Sequence, residues 1–199
     1  KRPVERLRDK GILGPKTILG HCIHVNEAEM EIISDTDTMV VNNPESNMGN
    51  AVGCSPVLEL YKKGILVGLG TDAYTHDMLE SLKAALAIQR HNSGNPAAGW
   101  TEATGMLFTG NPAIAARYFH EPLGVLKAGA SADVVVMDYK PYTPFSDENA
   151  DGHILFGMNG RQCLTTVAAG KVLMLNRELV GIDEEKIFAD VKQTAEKLW

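Results

Sequence analysis

The feature that most constrains this chain is an alternation of short apolar runs with helix-like stretches. The runs are Thr17-Ile18-Leu19-Gly20-His21-Cys22, Thr38-Met39-Val40-Val41 and Ile65-Leu66-Val67-Gly68-Leu69. A strand that is apolar throughout, rather than at every second residue, is buried on both faces. That requires helices covering both faces and parallel βα connections. The segments between the runs supply the helices. One covers about residues 3–10, with Pro3 near its start and Gly11 just past its end. A short acidic one covers Glu27–Ser34, and another spans Val57–Lys63 with Gly64 as its stop. The last runs to about His91, with Asp77 and Glu80 as a capping-box-like start. Its Met78, Leu82, Leu86 and Gln89, with Leu79 and Ala85, line one apolar stripe. Three strands are too few to close a barrel. No Gly-x-x-x-x-Gly-Lys-Ser/Thr occurs, and Gly68-Leu69-Gly70 lacks a third glycine, so no nucleotide crevice is expected. The class is α/β, a piece of a larger parallel body.

Beyond about residue 120 the pattern changes. Ala132-Asp133-Val134-Val135-Val136-Met137-Asp138 reads as a buried strand, followed by a proline-containing loop from Lys140 to Phe145. Thr165–Ala169 and Lys171–Leu175 read as further strands, and Asn176-Arg177 as a tight turn into Glu178-Leu179-Val180. Asp183 opens a final helix with Ile187, Phe188, Val191, Ala195 and Leu198 on one side. The expected division is therefore 1–122 for the α/β part, 123–182 for a small β module and 183–199 for a terminal helix.

Composition narrows the function classes. A hydrophobic content of 44% excludes a disordered chain, and the formal net charge of −6 disfavours a nucleic-acid binder. No run of about 18 uncharged apolar residues is present, so no membrane span is expected. Cys22, Cys54 and Cys163 form no closed disulfide set and no Cys-x-x-Cys, which fits reduced thiols and a cytoplasmic location. The chain opens at Lys1, directly into a helix and without a signal-peptide pattern. The expectation is a piece of a longer protein rather than a complete domain.

In parallel α/β folds chemistry collects at the carboxyl ends of the strands. The first run ends in His21, the second in Asn42-Asn43-Pro44-Glu45-Ser46-Asn47 and the third in Gly70-Thr71-Asp72. An imidazole and a carboxylate facing one mouth suit metal-assisted hydrolysis, in which a cation lowers the pKa of a water and a carboxylate takes its proton. Taken alone, His21 is equally readable as a hydrogen-bonded histidine inside the fold. Asp72 by itself fits a turn or a helix cap, and Asn47 an Asx turn shaping the loop. His76 either reaches substrate or is a solvated loop histidine. His24 reads as a loop residue, and Cys22 as a small packed thiol at a strand end.

Five segments in order carry a family resemblance. They are Leu19-Gly20-His21-Cys22, the Asn-Pro-x-Ser-Asn run over Asn43–Asn47, Leu69-Gly70-Thr71-Asp72, Leu123–Gly129 with Ala132-Asp133, and Val167-Ala168-Ala169-Gly170-Lys171. Together they resemble the amidohydrolase superfamily over nearly the whole chain. The likeness is to its deaminase and chlorohydrolase branch, the guanine deaminase and triazine hydrolase relatives, with SsnA-type aminohydrolases nearest. The resemblance implies the C-terminal portion of a metal-dependent (β/α)8 TIM barrel, strands six to eight, with part of a small β-sandwich. His21 then matches the strand-six histidine that contacts the hydrolytic water or substrate. Asp72 matches the strand-eight aspartate that ligates metal and shuttles protons. His21 and Asp72 are the catalytic and metal candidates, and Asn42, Asn47 and His76 the substrate-binding ones.

This sequence also departs from the family pattern. No His-x-His occurs, and the strand-five histidine and its nearby glutamate are absent. Asn42 stands where relatives commonly carry histidine, and Thr75-His76-Asp77 replaces a commoner polar loop. The implied activity is a divalent-metal aminohydrolase acting on a C–N bond, on a small-molecule nitrogen heterocycle. Zinc is the first expectation, with iron or manganese as alternatives. The partners implied are the missing N-terminal half of the barrel and a second copy in a homodimer. The alternatives are a ring-amide hydrolase or chlorohydrolase in the same barrel, and a truncated piece that is not catalytic.

Overall fold

The three apolar runs pair side by side, but only the second and third are buried on both faces: in the first, Ile18 and Gly20 are exposed. In the computed structural model, which describes residues 1–199, β1 (Ile18–Gly20), β2 (Met39–Asn42) and β3 (Val67–Leu69) form a parallel sheet in that order. Register sets Gly20 beside Val41, and Asn42 beside Leu69, so all three strands end at one level. The helices read from the sequence are present as α1 (Pro3–Asp9), α2 (Glu27–Asp35), α4 (Val57–Lys62) and α5 (Met78–Ser93). The sheet and helices share a core containing Ile33, Val40, Leu60, Val67, Leu82 and Met106. Each such side chain contributes roughly 1.5–3 kcal/mol of transfer free energy when fully buried.

Chain ends of the helices are closed by side chains. Asn26 and Glu29 form a reciprocal capping box on α2. Asp77 caps α5 by accepting from Leu79 N and Glu80 N. The expected reciprocal half of that second box does not form: Glu80 accepts from Thr75 Oγ1, which itself accepts from Asp77 N. The threonine hydroxyl lies between the two groups and satisfies both.

Four helical segments were not legible as helices. The Asn43–Asn47 run folds into α3 (Pro44–Gly49), with proline at its first position. Residues 100–115 continue from α6 (Trp100–Gly105) through a π turn (Met106–Gly110) into α7 (Asn111–Ala115). α8 (Ala150–Gly157) places Leu155 in the core, and its Phe156 ring lies 5.8 Å from that of Trp100. The π turn approaches the sheet closely: a Cβ on Gly110 would lie 2.1 Å from the Val67 carbonyl oxygen. Beside it, Asn111 Oδ1 accepts from Leu69 N and its Nδ2 donates to Leu69 O, at 2.9 and 3.0 Å. The free edge of β3 is thus occupied at Leu69 by an amide side chain rather than by another strand.

The chain divides into two units, residues 1–130 with 141–160, and residues 131–140 with 161–199. In the second, β4 (Val134–Met137), β5 (Cys163–Ala168), β6 (Lys171–Leu175) and β7 (Glu178–Leu179) form an antiparallel sheet in sequential order. The two tight turns have positive φ at both central residues, Ala169-Gly170 and Asn176-Arg177, which suits the twist of the strands they join. Asp133 Oδ1 accepts from Ala169 N at 2.7 Å and anchors the first. The final helix is α9 (Glu184–Ala195), capped by Asp183. One expectation of burial fails here. Val135 and Val136 are exposed, and the apolar side of α9 with Ile187, Phe188 and Val191 is exposed as well. An apolar run records what a surface prefers, not whether anything covers it. No helix is long and apolar enough to cross a membrane.

One buried charge ties α1 to α2. Glu29 is 1% exposed and accepts from Arg2 Nε at 2.6 Å and Val4 N at 3.1 Å. Burial raises its pKa, but the Arg2 guanidinium and the amides of Val4 and Asn26 outweigh that and hold the carboxyl below its usual range. A depressed carboxylate stabilises the fold fully above its unfolded pKa of about 4.3, and that contribution fades as pH falls through the lower folded value. Replacing Glu29 by Gln is expected to cost about 1–3 kcal/mol near neutral pH. The deficit, read from denaturant midpoints, is expected to shrink as the pH drops below about 4.

Candidate active site

The strand ends converge on a His–Asp pair. His21 directly follows β1 and Asp72 lies three residues beyond β3. Both leave their strands through a left-handed backbone, at φ 66° for His21 and 54° for Asp72. Non-glycine residues adopt this conformation at a cost of roughly 1 kcal/mol, and it recurs where side-chain placement matters more than local comfort. Here His21 Nε2 comes to 3.6 Å from Asp72 Oδ2, with both side chains about two-fifths exposed.

The first turn of α3 holds both members. Ser46 Oγ donates to Asp72 Oδ2 at 2.7 Å, and the adjacent Asn47 Oδ1 lies 2.8 Å from His21 Nδ1. The second carboxylate oxygen, Oδ1, accepts from Ala73 N at 2.8 Å. The Ser46 bond, the Ala73 amide and the nearby His21 together hold the Asp72 carboxyl below the ordinary range. Asn50 Nδ2 donates to Ser46 O and steadies the turn. Glycine at position 70 leaves room for the Asn43 side chain: a Cβ there would lie 2.2 Å from Asn43 Oδ1.

The other candidates are placed differently. Asn42 is 1% exposed and its Nδ2 lies 3.9 Å from Met106 Sδ. It shares a face with Val40 and with Leu69, its register partner, and so points into the core between sheet and helices. The His–Asp pair does not include it. Asn47 is buried and touches His21 rather than open space. His76 and His24 are exposed on loops. Burial, and secondarily the charge of Glu29, pushes the Cys22 thiol up to about 12, which excludes a ready thiolate. Ser46 was missed. Its signal was the proline two residues earlier, which as the first residue of a helix turns a loop-like run into a rigid turn.

The pair fits part of a cation's ligand shell. Zinc holds nitrogen and oxygen donors at about 2.0–2.2 Å, so two ligands of one ion lie within about 4.2 Å of each other. The separation of 3.6 Å meets that limit. No group of three or more His, Cys, Asp or Glu side chains gathers anywhere in the chain, so the pair supplies two donors and no more.

Comparisons with known proteins show the family and the fold. Residues 1–173 match the sequence model of the Amidohydrolase family. The 5'-deoxyadenosine deaminase of Methanosarcina acetivorans is 34% identical over all of this chain and 46% of its own length. The chain thus spans about half the length of the curated relatives it matches. Among solved structures, an adenosine deaminase from Xanthomonas campestris with bound zinc superposes with a TM-score of 0.86 at 22% identity, over 99% of this chain and 46% of that one. The atrazine chlorohydrolase TrzN from Arthrobacter aurescens, with zinc and atraton, gives 0.79 at 22% identity, over 96% and 43%.

Because the Ser46 hydroxyl is the largest influence on Asp72, Ser46→Ala is expected to move the Asp72 titration upward toward the ordinary aspartate value of about 3.9. Carboxyl carbon NMR reads this directly. An unmoved titration would remove Ser46 from the site.

Proposed function

The chain belongs to the amidohydrolase family, and on that premise we propose that it is the C-terminal half of a divalent-metal aminohydrolase acting on a C–N bond of a small nitrogen heterocycle. The observation that carries this reading is the approach of His21 Nε2 to Asp72 Oδ2 at the ends of β1 and β3. On this reading residues 1–122 are barrel strands six to eight with their helices. Residues 123–182 hold the sandwich strands, and 183–199 a terminal helix. The parallel sheet β1-β2-β3 and the antiparallel sheet β4-β5-β6-β7 support two parts, with residues 141–160 between β4 and β5 belonging to the first unit. The remaining barrel strands and ligands belong to a further part of the polypeptide. Three free cysteines favour a cytoplasmic setting.

His21 and Asp72 would hold the cation, and zinc is favoured over iron or manganese because the Xanthomonas campestris neighbour carries it. A bound divalent ion supplies Lewis acidity and lowers the pKa of a water in the site. Asp72, kept ionised by Ser46 and Ala73, accepts the proton of the attacking water and returns it to the leaving nitrogen. His21 Nε2, facing Asp72 Oδ2, would orient the attacking water and the hydroxyl of the tetrahedral species by accepting a hydrogen bond wherever it does not hold the cation. The Methanosarcina acetivorans relative is a 5'-deoxyadenosine deaminase, which supports an exocyclic amine as the leaving group.

A second reading has its own observation. With two donors and no third, the 199-residue chain by itself is catalytically silent. It is expected to lose zinc on dialysis and to turn over no substrate, and stoichiometric tight zinc in this chain alone would overturn that. In the complete polypeptide, Asp72→Asn is expected to reduce ammonia release from amino-heterocycles by about 10²–10⁴-fold. Ring opening or halide release in place of ammonia would instead assign a ring-amide hydrolase or a chlorohydrolase.

A further inference from the structure

Asn47 stands too deep to meet a substrate. Its side chain is 2% exposed, and its backbone is tied on both sides, by Asn47 N to Asn43 O and by Val52 N to Asn47 O. The one polar partner of its Oδ1 is His21 Nδ1, at 2.8 Å. A neutral imidazole carries a single N–H, and the bond made by one ring nitrogen decides what the other offers. With an amide oxygen facing Nδ1 the proton resides on Nδ1, and Nε2 keeps its lone pair.

Asp72 beside Nε2 would by itself draw the ring proton to that nitrogen, so the tautomer turns on Asn47, whose Oδ1 faces Nδ1 and whose Nδ2 is buried without a partner. Reversing the Asn47 amide would set an N–H against Nδ1 and force the ring proton onto Nε2. That proton would face Asp72 Oδ2 at 3.6 Å, the form the carboxylate alone favours. An unprotonated Nε2 beside a carboxylate oxygen is the donor arrangement that a cation or a water hydrogen fits. Ser46, next to Asn47 on the same turn, orients the carboxylate as Asn47 orients the ring, so one rigid element sets both.

We propose that Asn47 is a positioning residue. By accepting the Nδ1 proton it holds His21 in the Nδ1–H tautomer and presents an unprotonated Nε2 to the space shared with Asp72 Oδ2. The value of that presentation rests on the reading of the pair as a cation site. The tautomer itself does not, and the two are separable by experiment.

The test is imidazole ¹⁵N NMR of the histidine-labelled chain at a pH where His21 is neutral, with His21→Gln identifying its signals. The wild-type ring is expected to carry its proton on Nδ1. A wild-type ring protonated on Nε2 overturns the proposal, with no variant needed. Asn47→Ala, folded by its amide spectrum, is expected to shift the ring toward the Nε2–H form. Asn47→Asp, which keeps an acceptor oxygen, is expected to retain Nδ1–H. A tautomer unchanged in a folded Asn47→Ala chain also overturns the proposal. In the complete polypeptide, Asn47→Ala is expected to weaken zinc binding by about 10–100-fold, as loss of a partner behind a metal-binding histidine does. If the wild-type ring is Nδ1–H but its Nε2 signal ignores saturating zinc there, the assignment of Asn47 stands and the cation-site reading falls.

Discussion

Parallel pairing of three short strands in register is the constraint on which the site depends. Because Gly20 pairs with Val41 and Asn42 with Leu69, three turns leave the sheet at one level. A one-residue slip would invert every side chain of the slipped strand and move its terminal residues off that level. The register is enforced by the packed core, and at the β3 edge by the Asn111 amide on Leu69. The energy that places His21 and Asp72 is therefore mostly apolar burial at a distance, not the weak attraction between the two groups themselves.

Around the pair, polar contacts refine what packing delivers. α3 is only six residues long, yet it carries adjacent side chains to both members of the pair. Each bond restricts one degree of freedom: Ser46 and Ala73 fix the carboxylate plane, and Asn47 fixes the ring. This division suits a hydrolytic centre, where an acid must stay ionised and a nitrogen must stay available at neutral pH.

The second unit behaves differently. Its turns and strand pairing follow local rules, with positive φ at Asn176-Arg177 and an aspartate anchoring the Ala169 turn. Its apolar surface on β4 and α9 is nonetheless exposed. Local chemistry suffices to form a meander, whereas burial needs a partner surface that local chemistry cannot specify.

Much of the fold was legible because it is encoded over short distances. The apolar runs of β1, β2 and β3, the stripe of Leu82, Leu86 and Gln89, and the helix starts at Asp77 and Asp183 are patterns within single elements. The sequence alone also determined which polar residues end the strands, and hence that His21 and Asp72 were candidates. It did not reveal α3, α6, α7 or α8, which are too short to show helical periodicity. Nor did it reveal which way Asn42 faces, since a strand buried on both sides has no alternation to read. Only the tertiary structure decided that Asn42 packs on Met106, that Ser46 belongs to the site, and that Nδ1 rather than Nε2 of His21 meets Asn47. Those are relations between groups distant in the chain, and they exist only once the core has brought the strand ends together.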